Sequence, residues 1–236
     1  MQLKTILIDF DNTLHNTDAI FEEKFDGLFG LDGKTLWDIL FFKIHREIVT
    51  KRFPHAHGDL NLHIELLFDH LKRPYDESQA KEILNRFREG ETECWKSPRY
   101  YADTVSFLDF LESRKYRVFL TTGDHEKEKA AGIERWASKK YFEDVFGEEG
   151  LGVKKNSVEF YRAILQVSHS EPSETVSIGD TFTHDIAPAK EIGVVTIWIN
   201  RAGRRPDDRE RPSFEVKDLS EAQRVITSLD DNSARS

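Results

Sequence analysis

Residues 3–13 read LKTILIDFDNT, a stretch that changes abruptly from apolar to acidic. The β-branched and apolar run of residues 5–8 predicts a buried strand of a parallel sheet. The run ends on Asp9 and Asp11, two carboxylates two positions apart. Because ligands bind outside the carboxyl ends of the strands in an open α/β sheet, we expect both acids to line a crevice there. From these residues alone, the alternative is that the two acids cap the following turn.

Four later segments have the composition of buried strands, and residues with helical spacing lie between them. The later strands are predicted at residues 117–121, 175–178, 194–199 and 214–216, and the helices at residues 104–114, 126–136, 158–167 and 187–192. Strands that alternate with helices form βαβ units and a parallel sheet. The predicted fold class is therefore α/β, with a Rossmann-like parallel sheet flanked by helices.

The interval of residues 15–97 has a different pattern. Apolar residues recur there at helical spacing in four segments, as in Leu36, Leu40 and Ile44. Turn signals separate the segments at residues 30–33, 54–58 and 73–74. We therefore predict an all-helical domain of about four helices, residues 15–97, inserted into a core domain formed by residues 1–14 and 98–236.

Charge and composition exclude several classes of partner. The net charge of −9 argues against binding to a nucleic acid polymer, which needs a positive surface. No stretch approaches the roughly 18 apolar residues of a membrane span. Cys94 is the single cysteine, so no intrachain disulfide is expected, and no signal peptide pattern precedes the first strand. We expect a cytoplasmic protein, either a monomer or a homodimer.

Two later segments place hydrogen-bond donors where they could join the two acids. Thr121, Thr122 and Gly123 end the second predicted strand, with hydroxyls that can donate to an anion and a glycine that lets the backbone approach it. Lys154 and Lys155 precede a predicted helix, where an ammonium and the helix N-terminus both favour phosphate.

A further segment supplies acids. Asp180 ends a predicted strand, and Asp185 follows five residues later. Carboxylate oxygens near another carboxylate suit Mg²⁺. Each segment also has an ordinary explanation, as strand ends, solvated lysines or helix caps. The joint occurrence of all four segments at predicted strand ends and helix starts indicates a functional site.

In this order the four segments resemble the motifs of the haloacid dehalogenase superfamily of phosphotransferases. The matching segments are Asp9-Phe10-Asp11-Asn12-Thr13-Leu14, Thr121, Lys154, and Gly179-Asp180 through Asp185. The resemblance covers the predicted core, about two-thirds of the chain. The helical insertion lies where members with a type 1 cap carry theirs, so the resemblance also implies a cap domain.

The resemblance implies a role for each acid. Asp9 would be the nucleophile, and Asp11 the general acid and base. The cofactor would be Mg²⁺, with ligands from Asp9, the backbone carbonyl of Asp11, and Asp180, and with Asp185 supporting the site.

The resemblance also implies which residues hold the phosphoryl group. These are Thr121, Thr122 and Lys154, which lies six residues before Phe160. Lys155 takes the place of the usual proline, so the sequence leaves open whether Lys154 or Lys155 faces the phosphate.

Contacts with the rest of the substrate are expected from residues that enter the insertion directly after the predicted nucleophile. The candidates are His15, Asn16 and Thr17.

The function implied is Mg²⁺-dependent hydrolysis of a small phosphorylated metabolite through an aspartyl-phosphate intermediate, by a sugar phosphatase or a 5′-nucleotidase. The alternatives are a phosphomutase, a 2-haloacid dehalogenase and a non-catalytic binding module. Asp11 argues against a dehalogenase, because carbon–halogen cleavage needs no proton for the leaving group. The presence of both Asp9 and Asp11 argues against a module without chemistry.

Overall fold

The computed structural model describes residues 3–203 and 211–233. The chain forms two compact units, Met1–Asn16 with Tyr100–Ser236, called the sheet unit below, and Thr17–Arg99, called the helical unit. The sequence pattern placed these junctions at residues 14–15 and 97–98.

The sheet unit is built on six strands in the order β3-β2-β1-β4-β5-β6, and every neighbouring pair is parallel. The strands are β1 Thr5–Asp9, β2 Arg117–Thr121, β3 Asp144–Phe146, β4 Thr175–Gly179, β5 Val195–Ile199 and β6 Phe214–Val216. The predicted α/β class with a parallel sheet is confirmed. Strand β3 was not predicted, because its three residues are too few to show a pattern.

The strand order reverses at β1, which lies between β2 and β4. The chain proceeds from β1 outward to β2 and β3, and then returns to the other side of β1 with β4. Such a reversal opens a crevice at the carboxyl ends of the two strands, because the connections that follow them leave in opposite directions. Asp9 is the last residue of β1, and Gly179 is the last residue of β4.

Alternate residues of β1 enter two separate cores, as the two-residue period of a strand requires. Ile6 and Ile8 pack into one cluster with Leu120 and Ile178, whereas Leu7 packs into the other. All five residues of β1 are buried. The strand is therefore fixed on both faces, which holds its last residue, Asp9, in a defined position.

Helices cover the sheet between these strands. They are Thr104–Ser113, Glu126–Ala137, Glu148–Leu151, Val158–Val167, Ala187–Glu191 and Leu219–Ser233, with a π-helical turn at Phe182–Ile186. The start of Val158–Val167 is capped by Ser157, whose side chain accepts a hydrogen bond from the backbone N–H of Phe160. Among the described residues, no helix has the length and hydropathy of a membrane span.

The helical unit contains more helices than the four that the sequence pattern predicted. Its helices are Thr17–Phe25, Gly33–Trp37, Asp38–Val49, Thr50–Arg52, Leu60–His70 and Glu77–Lys96, and those of residues 33–52 follow one another without a break. The segment Asp38–Val49 has π-helical hydrogen bonding. Trp37 stacks on Phe21 and Phe41 with ring centroids 4.3 and 5.1 Å apart, in the core of this unit.

Three histidines meet inside the helical unit. Nδ1 of His63 lies 2.6 Å from the backbone carbonyl of Asp59, which only accepts, so we infer that Nδ1 carries the proton. His63 then accepts at Nε2 from Nδ1 of His45, 2.9 Å away. Burial, with the proximity of His57, His63 and Arg46, lowers the pKa of His45 from 6.5 to about 3. His45 is therefore neutral in the folded protein.

The stability of the helical unit should fall in acid. Because the pKa of His45 is about 3 in the folded state and 6.5 in the unfolded state, the unfolded chain binds more protons between these values. The free energy of unfolding should decrease by on the order of 2 kcal/mol between about pH 8 and about pH 5. Denaturant titrations of the wild type and of His45→Gln would measure this effect, with His70→Gln, at an exposed histidine, as the control. A wild-type slope equal to that of His45→Gln would contradict the assignment.

Candidate active site

Asp9 lies at the carboxyl end of β1 with its side chain buried. One of its oxygens, Oδ2, accepts a hydrogen bond from the hydroxyl of Thr13 at 2.9 Å. The chain turns sharply between these two residues, with Asn12 in the left-handed region at φ 57°. Asparagine adopts this conformation more readily than most residues, so the turn that returns Thr13 to Asp9 is encoded locally.

The other oxygen of Asp9 is held by a lysine. Nζ of Lys155 lies 2.5 Å from Oδ1 of Asp9 and 2.7 Å from Oδ1 of Asp185, and it donates to the backbone carbonyl of Thr121 at 3.1 Å. Only 4% of the Lys155 side chain is exposed. One ammonium therefore joins the last residues of β1 and β2 to a residue that follows β4.

Of the two lysines that the sequence left open, Lys155 and not Lys154 reaches Asp9. Lys154 is 65% exposed and forms an ion pair with Glu148 at 2.7 Å. The backbone N–H of Lys155 donates to the same carboxylate at 3.0 Å, which fixes the loop so that its second lysine points inward. A sequence signal was present, because Tyr161, which is also buried, lies six residues after Lys155 just as Phe160 follows Lys154.

Asp180 and Asp185 lie in the segment after β4. The backbone N–H of Thr181 donates to Oδ2 of Asp185 at 2.8 Å, and the hydroxyl of Thr181 donates to Oδ1 of Asp180 at 2.8 Å. A Cβ at Gly179 would lie 2.2 Å from Cγ of Asp185. The absence of a side chain at Gly179 thus allows the Asp185 carboxylate to pack against the end of β4.

Three carboxylates converge at this point. Among residues 3–203 and 211–233, Asp9, Asp180 and Asp185 each offer an oxygen within 4.8 Å of the others. Hard oxygen donors suit Mg²⁺, which needs only one or two of these carboxylates as direct ligands and keeps several waters. The residues therefore fit the predicted metal. The side chain of Asp11 is not in this group.

Burial and charge shift the pKa of both central groups. Removal from water raises the pKa of Asp9 well above its ordinary value, and the nearby carboxylate of Asp185 adds to the increase, while Lys155 opposes it. Burial alone would lower the pKa of Lys155, but Asp185 and Asp9 outweigh it and raise that pKa. Lys155 is therefore a permanent cation beside Asp9.

Thr121 is the last residue of β2 and lies beside Asp9 in the register of the sheet, and Thr122 follows it. Both are buried, and the hydroxyl of Thr122 accepts a hydrogen bond from Nζ of Lys129 at 2.9 Å. Thr121 thus lies next to the predicted nucleophile, whereas Thr122 belongs to a neighbouring polar group.

That neighbouring group contains a lysine that sequence reasoning missed. Nζ of Lys129 lies 2.7 Å from Oδ2 of Asp11 and 2.5 Å from Oδ1 of Asp124. Burial lowers the pKa of Lys129, but Asp11 and Asp124 more than compensate, so the net effect is a raised pKa. The only signal in the sequence is a lysine among the buried positions of a predicted helix, which is too common to be informative.

The three substrate-contact candidates separate in the structure. His15 is fully buried, stacks on Phe10 and meets Tyr100 edge to face, with ring centroids 5.0 and 5.4 Å away. This corrects the prediction that His15 contacts substrate, because its aromatic ring packs in the interior. Asn16 is half-buried and accepts a hydrogen bond from the hydroxyl of Tyr101 at 3.2 Å, and Thr17 begins the first helix of the helical unit.

Comparison with known proteins agrees with this arrangement. The family model described as haloacid dehalogenase-like hydrolase matches residues 3–193. Two curated relatives span almost the whole chain. A glyceraldehyde 3-phosphate phosphatase of Methanocaldococcus jannaschii is 22% identical, covering 96% of this chain and 98% of the relative. The pyrimidine 5′-nucleotidase PynA of Streptococcus pneumoniae is 25% identical, covering 92% of each.

A solved structure supports the fold. The HAD-hydrolase YfnB of Bacillus subtilis, crystallised with magnesium, superposes with a TM-score of 0.73 at 17% identity, over 96% of this chain and 99% of that chain. The resemblance inferred from the sequence motifs is thus confirmed. With the family match running from β1 through the segment after β4, the chain belongs to the haloacid dehalogenase-like hydrolase family.

Proposed function

We propose that this protein is a Mg²⁺-dependent phosphatase of small phosphate monoesters, with Asp9 as the nucleophile. One observation carries the proposal: a buried carboxylate at the switch point of the sheet, paired with the Lys155 ammonium and grouped with Asp180 and Asp185. Activated carboxylates of this kind form covalent intermediates in phosphoryl transfer.

The first step is attack by an oxygen of Asp9 on the phosphorus atom. The bond from phosphorus to the ester oxygen breaks, and an aspartyl phosphate forms. Lys155 lies next to both Asp9 and the carbonyl of Thr121, where its charge stabilises the equatorial oxygens of the phosphoryl group. In the second step, water attacks the same phosphorus, which releases inorganic phosphate and restores Asp9.

Bound Mg²⁺ would neutralise the repulsion between the acids and the phosphate dianion. The residues that would hold it are Asp9, Asp180 and Asp185, whose oxygens already converge, and the backbone carbonyl of Asp11. The hydrogen bond from Thr13 keeps the Asp9 carboxylate in a single orientation for both tasks.

Asp11 has the place of the general acid and base. Its carboxyl group donates a proton to the leaving alcohol oxygen in the first step and takes one from the attacking water in the second. Its side chain is 35% exposed, so the proton exchanges with solvent between turnovers. A group of this kind has no task in the cleavage of a carbon–halogen bond, which favours the phosphatase over a dehalogenase.

The relatives, a glyceraldehyde 3-phosphate phosphatase and a pyrimidine 5′-nucleotidase, support a sugar phosphate or a nucleotide as the substrate. We propose that the helical unit is the cap domain and that it selects among such substrates. The connectivity supports this role, because Thr17–Arg99 is inserted between β1 and β2, the strands that carry Asp9 and Thr121. Trp37 lies in the core of the helical unit and is buried. The half-buried and exposed side chains of that unit would therefore provide the selectivity.

Metal removal is the first test. Hydrolysis of 4-nitrophenyl phosphate should be lost after exhaustive treatment with EDTA and should return with added Mg²⁺, because three clustered carboxylates repel a phosphate dianion. Phosphate release measured before and after chelation decides this. Full activity in the chelated enzyme would contradict the proposal.

Substitution of the two acids separates their roles. Asp9→Asn should abolish turnover of every ester, because an amide is not a nucleophile. Asp11→Asn should lower kcat on alkyl phosphates by about 10²–10⁴-fold. Its effect on aryl phosphates should be smaller, because their leaving groups need little protonation. An Asp11→Asn enzyme with wild-type kcat on an alkyl phosphate would refute the role given to Asp11.

The two adjacent lysines form a matched pair. Lys155→Met should lower kcat by about 10²-fold or more, because one donor to the developing negative charge is removed. It should also lower the melting temperature, because buried carboxylates are left unpaired. Lys154→Met should retain kcat near the wild-type value, because its exposed ion pair contributes about 0–1 kcal/mol. Steady-state kinetics with thermal melting measure both. The reverse result would restore Lys154 as the phosphate ligand.

A further inference from the structure

We propose that Lys129 is a positioning residue for Asp11, holding the Asp11 carboxylate beside the site for proton transfer. The inference rests on the proposed function for its kinetic consequences. Its structural basis is a four-residue polar cluster, Asp11, Thr122, Asp124 and Lys129, which is distinct from the ion pairs of Lys155 with Asp9 and Asp185.

The hydrogen bonds of Lys129 show that it acts through Asp11. An ammonium carries three N–H donors. Those of Lys129 meet three acceptors, Oδ2 of Asp11 at 2.7 Å, Oγ1 of Thr122 at 2.9 Å and Oδ1 of Asp124 at 2.5 Å. All three donors are therefore used inside the cluster. A phosphate group could bind Lys129 only by displacing one of these partners, so its function lies in the placement of Asp11.

Burial explains why the cluster persists. The Lys129 side chain is 4% exposed, and its Nζ lies 5.4 Å from the centroid of the Phe10 ring. A buried charge is costly unless it is paired and hydrogen-bonded. The carboxylates of Asp11 and Asp124 are thereby drawn to a cation that is fixed in the helix Glu126–Ala137. This ties the turn after β1 to the turn after β2.

Asp124 gives the cluster a second property. It is 67% exposed and shares the ammonium with Asp11, so Lys129 has two carboxylate partners. When Asp11 turns toward the leaving oxygen of a substrate, Asp124 keeps Lys129 paired. Lys129 thus orients Asp11 in the resting state. Because Asp124 stays paired with Lys129, less free energy is needed to move Asp11 away from the ammonium.

A double-mutant cycle on an alkyl phosphate tests this inference. Lys129→Gln keeps an unbranched polar side chain with two of the three N–H donors, is one atom shorter, and removes the charge. We expect kcat to fall by about 10- to 10²-fold, less than the full contribution of a general acid. Because Lys129 acts through Asp11, the double variant Lys129→Gln/Asp11→Asn should be no slower than Asp11→Asn alone.

Three comparisons make the test specific. Lys127→Gln, at an exposed lysine of the same helix, should match the wild type. Asp124→Asn, at an exposed side chain, should also lower kcat on the alkyl phosphate, and this loss should vanish in the Asp11→Asn background. The losses for 4-nitrophenyl phosphate should be smaller throughout. If the double variant lost kcat by the product of the two single losses, Lys129 would act independently of Asp11 and the inference would be overturned. A wild-type kcat for Lys129→Gln would overturn it as well.

Crystal structures separate failure of this inference from failure of the proposed function. A wild-type protein without phosphatase activity would refute the function. The positioning role would then be decided by the Asp11 side chain, which should remain beside Lys129 in the wild type and in Lys127→Gln and move away in Lys129→Gln. An unmoved Asp11 in Lys129→Gln would overturn the positioning role whatever the activity.

Discussion

The buried ion pair of Lys155 with Asp9 and Asp185 is the interaction on which the rest of the site depends. The ammonium and both carboxylates are almost fully buried, and none of them would be stable there without the others. The three residues come from the end of β1, the loop before the helix Val158–Val167, and the turn after β4. Folding of the sheet unit and assembly of its reactive centre are therefore coupled.

Local backbone features make this pairing possible. Asn12 turns the chain back so that Thr13 reaches Asp9, and Gly179 leaves room for the carboxylate of Asp185. Glu148 anchors the loop that delivers Lys155 by accepting from its backbone N–H. These residues therefore support the charged groups through the backbone and through the space around them. The orientation of the site is therefore set by its surroundings before any substrate binds, as electrostatic catalysis requires.

Two buried lysines give Asp9 and Asp11, at the carboxyl end of β1, different environments. Lys155 pairs with Asp9 inside the core, whereas Lys129 pairs with Asp11, whose side chain is 35% exposed. Asp9 and Asp11 are only two residues apart, yet one is shielded from water and the other exchanges protons with it. In the proposed mechanism, this separation would let Asp9 attack phosphorus while Asp11 transfers protons.

The sequence by itself determined the parallel sheet, the helical insertion and the family motifs, because periodicity and the Asp9–Asp11 spacing are local properties of the chain. It did not determine which lysine faces Asp9, since Lys154 and Lys155 are adjacent and the choice depends on Glu148. It also missed the burial of His15 between Phe10 and Tyr100, and the pairing of Lys129 with Asp11 across 118 residues. Only the tertiary structure decided these, because each depends on which distant groups share a buried space.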